Sequence, residues 1–247
     1  MLLVQAIGHF KEYMANSEKS RQTIKGYTLE LKMLSSYLAS KYNGPVYLEE
    51  VTSKDLEEYI IFLKEKGNSA SSRNRSVYII RSFYNFCLRR EYTDKNPSIR
   101  LEITPAPEKE RVFLSEEEME ALISAVQPQL AKTILTTLFY TGMRISECVN
   151  LKLKDVDLEN GVITVRNTKN KRDRQIPVHK KLLPVLKEYC VKWRRPSNLP
   201  YLFISRNMGR VSPDYVNRIL RNTAQRLGWK KHVTCHIIRH SFASSLV

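Results

Sequence analysis

The helical spacing of apolar residues from Leu2 to about Tyr92 is the feature that most restricts the fold of this chain. It predicts four helices, over about residues 2–15, 20–42, 53–66 and 70–91. Thr52 can cap the third helix, where the carboxylate of Asp55 suits the positive end of the helix dipole. The first 95 residues are therefore predicted to form a four-helix domain.

A proline-containing segment follows this helical region. Residues 96–111 contain three prolines, which have no backbone N–H group and favour extended structure in the residue before them. We interpret this segment as an interdomain linker. Ser115 and Glu118 then match a capping box at the start of a helix, so a second domain is predicted over residues 112–247.

The second domain is predicted to be mainly helical with one small sheet. Residues 161–165 and 174–178 are short β-type runs on either side of a charged tip, and residues 201–205 are a candidate for a further short strand. Helical patterns precede and follow these runs. The predicted fold class is mainly α, with a four-helix N-terminal domain and a mixed α/β second domain containing a small antiparallel sheet.

The charge of the chain favours a polyanionic partner. Its 41 Lys and Arg residues against 25 Asp and Glu give a formal charge of +16. Basic residues release counterions when they neutralise phosphates, so double-stranded DNA is the predicted partner. A membrane surface and simple solvation of basic helix faces are the alternatives.

Other features of the composition indicate a cytoplasmic protein without a metal site. The apolar residues of the first 14 positions repeat at helical spacing, unlike a signal peptide, and no run approaches the roughly 18 apolar residues of a membrane span. The cysteines lie far apart without a CxxC pair, which favours reduced thiols over zinc ligands. Those cysteines are Cys87, Cys148, Cys190 and Cys235.

Three short segments of the second domain contain candidate functional residues. They are TGMRISE at 141–147, NTKNKRDR at 167–174 and HIIRHSFA at 236–243. Taken singly, the first is explained by a helix cap or salt bridge, the second by a solvated hairpin tip, and the third by structural packing. His236 and Arg239 lie one turn apart on a helix, where both can reach one ligand.

Together and in this order, the three segments resemble those of the tyrosine recombinase (phage integrase) family, most closely its Xer-like members and the phage or transposon integrases. The resemblance extends over essentially the whole chain. It implies a helical core-binding domain of the SAM-like type, a linker, and a catalytic domain. It further implies a site-specific DNA recombinase that cleaves and rejoins DNA through a 3′-phosphotyrosine intermediate, within a homotetramer on two DNA sites and without a cofactor.

The resemblance also implies roles for individual residues. Arg144 and Arg239 correspond to the two arginines that bind the scissile phosphate, and their planar guanidinium groups suit the charge of a phosphoryl transition state. Lys169 corresponds to the hairpin lysine that acts as a general acid. The tip lacks the glycines common in the family, so Lys171 stays an alternative for that role.

Three further residues are assigned by the same resemblance. His236 corresponds to a histidine that exchanges protons or hydrogen bonds with the phosphate and the nucleophile. Glu147 and His240 correspond to residues that support the arginine pair, although simple helix packing also explains them.

No tyrosine of the sequence stands where the family has its nucleophile. The family tyrosine follows the HxxR segment at some distance, whereas this sequence ends at Val247, shortly after Arg239. We therefore expect the 247 residues to be a fragment that binds DNA without cleaving it. A DNA-binding protein that never cleaves is one alternative, and a helical interaction module with incidental positive charge is another.

Overall fold

The computed structural model describes residues 1–107, 112–166, 173–205, 207 and 209–244. It divides into two compact units, Met1–Lys109 and Glu110–Val247, and each unit has its own hydrophobic core. The described residues are mostly helical, and their one multi-stranded sheet is small and antiparallel. The predicted fold class is confirmed.

The first unit contains four α-helices, whose ends lie within about two residues of the predicted ones. They are α1 (Leu3–Asn16), α2 (Arg21–Tyr42), α3 (Ser53–Glu65) and α4 (Ala70–Arg89). Hydroxyl side chains cap three of them: Ser20, Thr52 and Ser69 each accept a hydrogen bond from a backbone N–H three residues later. These caps fix where the helices begin.

Aromatic side chains fill the core of this unit. The buried side chain of Phe10 on α1 lies with its ring centroid 5.6 Å from that of Phe83 and 5.2 Å from that of Phe86, both on α4. The residues of α1 whose helical spacing predicts its apolar face are all buried: Leu3, Ala6, Ile7, Phe10 and Met14. The amphipathic pattern thus predicted which face of the helix enters the core.

The first described residues of the predicted linker pack on the helical unit. A 3₁₀ turn spans Pro97–Arg100, and Ser53 donates a hydrogen bond to the carbonyl of Pro97 at 2.9 Å. The side chain of Asn74 pairs with the backbone of Thr104 through both its amide and its carbonyl group. Residues 96–104 therefore contribute contacts to the first unit, while residues 108–111 lie outside the described part.

The helices of the second unit surround its core. They are α5 (Glu116–Ala125), α6 (Gln129–Thr141), α7 (Ile145–Cys148), α8 (Leu182–Glu188), α9 (Pro213–Arg226) and α10 (Cys235–Ser244), with a π-helical turn at Tyr189–Trp193 after α8. The capping box predicted at Ser115 is present: Ser115 Oγ accepts from the N–H of Glu118, whose carboxylate accepts from the N–H of Ser115. No helix in the described ranges combines the length and the apolar character that a bilayer crossing requires.

The sheet has the order β1 (Val156–Asp157), β2 (Val162–Val165) and β3 (Arg174–Pro177). Strands β2 and β3 pair antiparallel, with Val165 opposite Arg174 next to the hairpin tip. Both strands were predicted and β1 was not, because two residues are too short to show a pattern. The candidate strand at 201–205 forms only isolated bridges, since its three consecutive buried residues enter the core together instead of alternating.

Candidate functional site

Arg144 is held at the corner between α6 and α7, where Gly142 allows the chain to turn. Gly142 has a φ angle of +57°, in the left-handed region that favours glycine. A Cβ atom at this position would also collide with the ring of Phe242, so α10 approaches the corner closely. Glycine therefore allows both the turn and the contact that brings the Arg144 segment against α10.

Glu147 connects the first motif to the sheet through its buried carboxylate. This side chain is only 5% exposed. Its Oε1 accepts a hydrogen bond from Arg144 Nη1 at 2.9 Å, and its Oε2 accepts one from the backbone N–H of Arg144 at 2.9 Å. Arg174, the first residue of β3, donates to both oxygens, with distances of 3.3 and 2.7 Å. One buried carboxylate thus receives four hydrogen bonds from two arginines.

These hydrogen bonds determine the charge of Glu147. Burial by itself raises the pKa of a carboxyl group, but the hydrogen bonds from Arg174 and Arg144 outweigh burial and hold the pKa of Glu147 at about 2. The carboxylate therefore stays ionised at every physiological pH.

Arg239 on α10 carries a hydrogen-bond donor without an acceptor. Its Nη1 atom is buried and has no hydrogen-bond partner among the described residues. Burial lowers the pKa of Arg239, and the positive charges of Arg144 and Arg174 lower it further, whereas Glu147 raises it. Arg239, Arg144, Arg174 and Glu147 thus lie close enough to interact electrostatically.

Contacts at both ends keep α10 in place. The backbone N–H of Cys235 donates to the side-chain carbonyl of Asn217 on α9 at 3.0 Å. Near the other end, Ser241 Oγ accepts a buried hydrogen bond of 2.9 Å from the N–H of Leu114. The helix that contains His236 and Arg239 is therefore connected to α9 and to the start of the second unit.

His236 and His240 face each other on α10. Their Nε2 atoms are 2.9 Å apart, and the two rings meet edge to face with centroids 4.3 Å apart. This spacing allows one ring to donate a proton to the other. His236 is the more exposed of the two, on the same helix as Arg239. No group of three His, Cys, Asp or Glu side chains in the described ranges is arranged to bind a metal ion.

The structure brings together some of the predicted site residues and leaves others unplaced. Arg144, Glu147 and Arg239 interact, and His236 pairs with His240 on the helix of Arg239. Lys169 and Lys171 fall on residues 167–172, which lie outside the described part of the chain. Arg174 was not singled out from the sequence, because its partner Glu147 lies 27 residues earlier and no local spacing relates the two.

The arrangement suits an anionic ligand that carries several oxygen atoms. Two arginines pair with one carboxylate and a third, Arg239, lies within electrostatic range, so positive charge is left uncompensated. Guanidinium groups bind phosphate oxygens with planar pairs of donors. The unpaired Nη1 of Arg239 is one such donor.

Comparison with known proteins identifies both units. Residues 112–247 match the model of the phage integrase family, and residues 7–91 match that of the phage integrase N-terminal SAM-like domain. The tyrosine recombinase XerA of Pyrococcus furiosus is 32% identical in an alignment that covers 98% of this chain and 80% of the relative. The match over residues 112–247 includes the residues that form the site.

Two solved structures show the same fold at lower identity. The integrase of transposon Tn1549, solved in complex with a circular intermediate DNA, has a TM-score of 0.82 at 21% identity, over 100% of this chain and 87% of that one. The λ integrase tetramer bound to a Holliday junction has a TM-score of 0.79 at 17% identity, over 99% and 72%. With its family matches and its arginine site, the chain belongs to the phage integrase family of tyrosine recombinases.

Proposed function

We propose that this protein acts in site-specific DNA recombination and that Arg144 and Arg239 bind the phosphate at which the DNA is cut. The supporting observation is the buried Nη1 of Arg239, a donor that has no acceptor in the described part of the chain. Two more arginines, Arg144 and Arg174, lie within electrostatic range of it. A buried donor left unpaired costs about 1–3 kcal/mol. A phosphate oxygen at this point would remove that cost.

The chemistry that we propose is phosphoryl transfer. The two arginines stabilise the negative charge that develops on the phosphate oxygens in the transition state. His236, paired with His240, exchanges a proton or hydrogen bond at the phosphate, and Lys169 or its alternative Lys171 protonates the leaving 5′ oxygen. Because guanidinium groups supply the charge stabilisation, the proposal requires no metal ion or cofactor.

The first unit offers a second basic surface for the DNA. A cleft of about 410 Å³ is lined by four basic side chains of α1 and α2 and has a largely apolar floor. These basic side chains are Lys11, Arg21, Lys25 and Lys32. By contrast, Arg73 and Arg81 on α4 donate hydrogen bonds to carbonyls of their own chain. We propose that the DNA backbone contacts the α1–α2 surface.

We further propose that four copies assemble on two DNA sites and that the protein works in the cytoplasm, beside the chromosome. Strand exchange joins two duplexes, each cut on both strands, which requires four phosphate sites. A tetramer supplies one site from each copy.

Binding to DNA selected from a random pool would test the proposal. Phosphates of the selected site are replaced one at a time by neutral methylphosphonates, and the dissociation constant is measured for each. We expect one linkage where neutralisation weakens binding about tenfold in the native chain and hardly at all in Arg239→Ala. Affinity should also fall steeply between 50 and 200 mM salt, as phosphate contacts require. Salt-independent binding, or an unchanged penalty in Arg239→Ala, would contradict the proposal.

The placement of the tyrosines favours a second candidate, DNA binding without cleavage by these 247 residues. Tyr189 is buried, Tyr140 stacks on His179, and Tyr215 packs against Arg218. None of these rings is in contact with the arginine site in the described structure. A nicked suicide DNA substrate distinguishes the candidates, because cleavage leaves protein covalently attached to DNA on a denaturing gel. A covalent band that disappears on mutation of one of these tyrosines would exclude this candidate.

A further inference from the structure

Strand β3 contributes Arg174 to the site, the last residue of the segment at 167–174, to which the sequence motifs assign no role. Arg174 forms a two-pronged contact with Glu147: Nη2 lies 2.7 Å from Oε2 and Nη1 lies 3.3 Å from Oε1. Its side chain is 36% exposed and that of Glu147 is 5% exposed. A buried carboxylate is costly unless it is fully paired, so this contact matters more than a surface ion pair.

Arg144 shares the same carboxylate and gives it only one of its side-chain nitrogens. Arg144 Nη1 donates to Oε1, while the other contact to Glu147 comes from the backbone N–H. The side chain of Arg144 is 41% exposed. Because Arg174 also donates to Glu147, both oxygens of this carboxylate have hydrogen-bond partners. Most donors of the Arg144 guanidinium therefore remain available to a ligand.

We propose that Arg174 is a positioning residue, which neutralises Glu147 so that the charge and donors of Arg144 remain available to the DNA phosphate. This inference rests on the function proposed above. Without Arg174, the buried carboxylate has one arginine left, and two parallel hydrogen bonds from that arginine are its best replacement. Arg144 would then turn toward Glu147 and away from the phosphate.

The position of Arg174 extends this role to the hairpin. Arg174 is the first residue of β3, opposite Val165 of β2, and it follows in sequence the segment that contains Lys169. Its contact with Glu147 connects this end of the β2–β3 hairpin to α7. Arg174 therefore links the segment of the proposed general acid to the segment of the first arginine.

The experiment compares Arg174→Gln with the double variant Arg174→Gln/Glu147→Gln. The measured quantity is the loss of DNA affinity when the critical phosphate is replaced by a neutral methylphosphonate. We expect this loss, about tenfold in the native chain, to become about twofold or less in Arg174→Gln, because Arg144 has turned away. The double variant removes the carboxylate that attracts Arg144, so most of the tenfold loss should return.

A matched control is available at the same end of the hairpin, after the opposite strand. Arg166 follows β2 and pairs with Asp155, whose side chain is also 5% exposed, with Nε 2.8 Å from Oδ1. Arg166→Gln therefore removes a similar ion pair, and it should keep the full tenfold loss. Circular dichroism and thermal unfolding confirm that each variant is folded, and Arg174→Lys, which keeps the charge without the fork, should give an intermediate loss.

The outcomes separate this inference from the proposed function. If Arg144→Gln abolishes the phosphate-specific loss but Arg174→Gln leaves it intact, the inference is wrong and the function stands. If the phosphate-specific loss in the double variant is no larger than in Arg174→Gln, Arg174 acts on the phosphate directly or through folding, and the inference is also wrong. If no phosphate shows a loss that depends on Arg144, the proposed function itself fails.

Discussion

Replacing Glu147 by glutamine should remove a defined part of the pH dependence of unfolding. The pKa of Glu147 is held at about 2 in the folded protein, below its ordinary value of 4.5. A shift of one unit corresponds to about 1.4 kcal/mol, so the ionised carboxylate contributes roughly 3 kcal/mol to the free energy of unfolding at pH 7. The ion pairs of Arg144 and Arg174 with this carboxylate account for its contribution to stability.

The sign of the effect follows from the direction of the shift. A carboxyl group with a lowered pKa stabilises the fold above its unfolded-state pKa, and this stabilisation is lost as the pH falls toward the folded pKa. For Glu147 the window is therefore about pH 5 to pH 2. Linkage predicts that the native chain loses roughly 1 kcal/mol from this group between pH 7 and pH 4, and roughly 2 kcal/mol by pH 3. The Glu147→Gln variant lacks this loss.

The assay can be confined to the second unit. Both tryptophans of the chain, Trp193 and Trp229, belong to that unit, so urea unfolding followed by tryptophan fluorescence reports on it alone. The difference in free energy of unfolding between the native chain and Glu147→Gln should be largest at pH 7 and shrink as the pH falls. A difference that is constant from pH 7 to pH 3 would show that Glu147 titrates normally and would refute the reasoning.

Further predictions concern the turn at Gly142 and the first unit. Gly142→Ala should destabilise the second unit more than Gly161→Ala. Both glycines have positive φ angles, but only at Gly142 would a Cβ atom collide with a side chain, that of Phe242. Equal melting temperatures of the two variants would contradict this contact. Asp55→Asn should lower the stability of the first unit by about 3 kcal/mol in circular-dichroism denaturation at pH 7, since Asp55 is 2% exposed and pairs with Lys41 at 2.6 Å. Burial opposes the ionisation of Asp55, but hydrogen bonds lower its pKa nevertheless. The loss of stability caused by Asp55→Asn should therefore shrink at acid pH. A loss that does not depend on pH would argue against an ionised Asp55.

The sequence was sufficient to predict the helical half of the protein. Each helix of the first unit has an amphipathic pattern and most have a hydroxyl cap, so both the buried face and the starting residue follow from interactions within a few residues of sequence. The β2–β3 hairpin was also predicted, because two short β-type runs lie on either side of a charged segment in the sequence. Strand β1 was not predicted, because two residues are too short to show a pattern. Residues 201–205 were predicted as a candidate strand but form only isolated bridges, one of them to Lys152, which is distant in sequence.

For the site, the motifs identified Arg144, Glu147, His236 and Arg239, but they gave no information about how the side chains interact. That Glu147 is buried between two arginines depends on where β3 lies against α7. The sequence did not predict a role for Arg174, because no local pattern distinguishes an arginine at the start of a strand from a solvated arginine. The unpaired Nη1 of Arg239 likewise appears only when α10 packs on the rest of the unit. Local patterns determine helices, strands and caps, whereas charge balance and unpaired donors arise from contacts between residues far apart in sequence, so only the tertiary structure decides them.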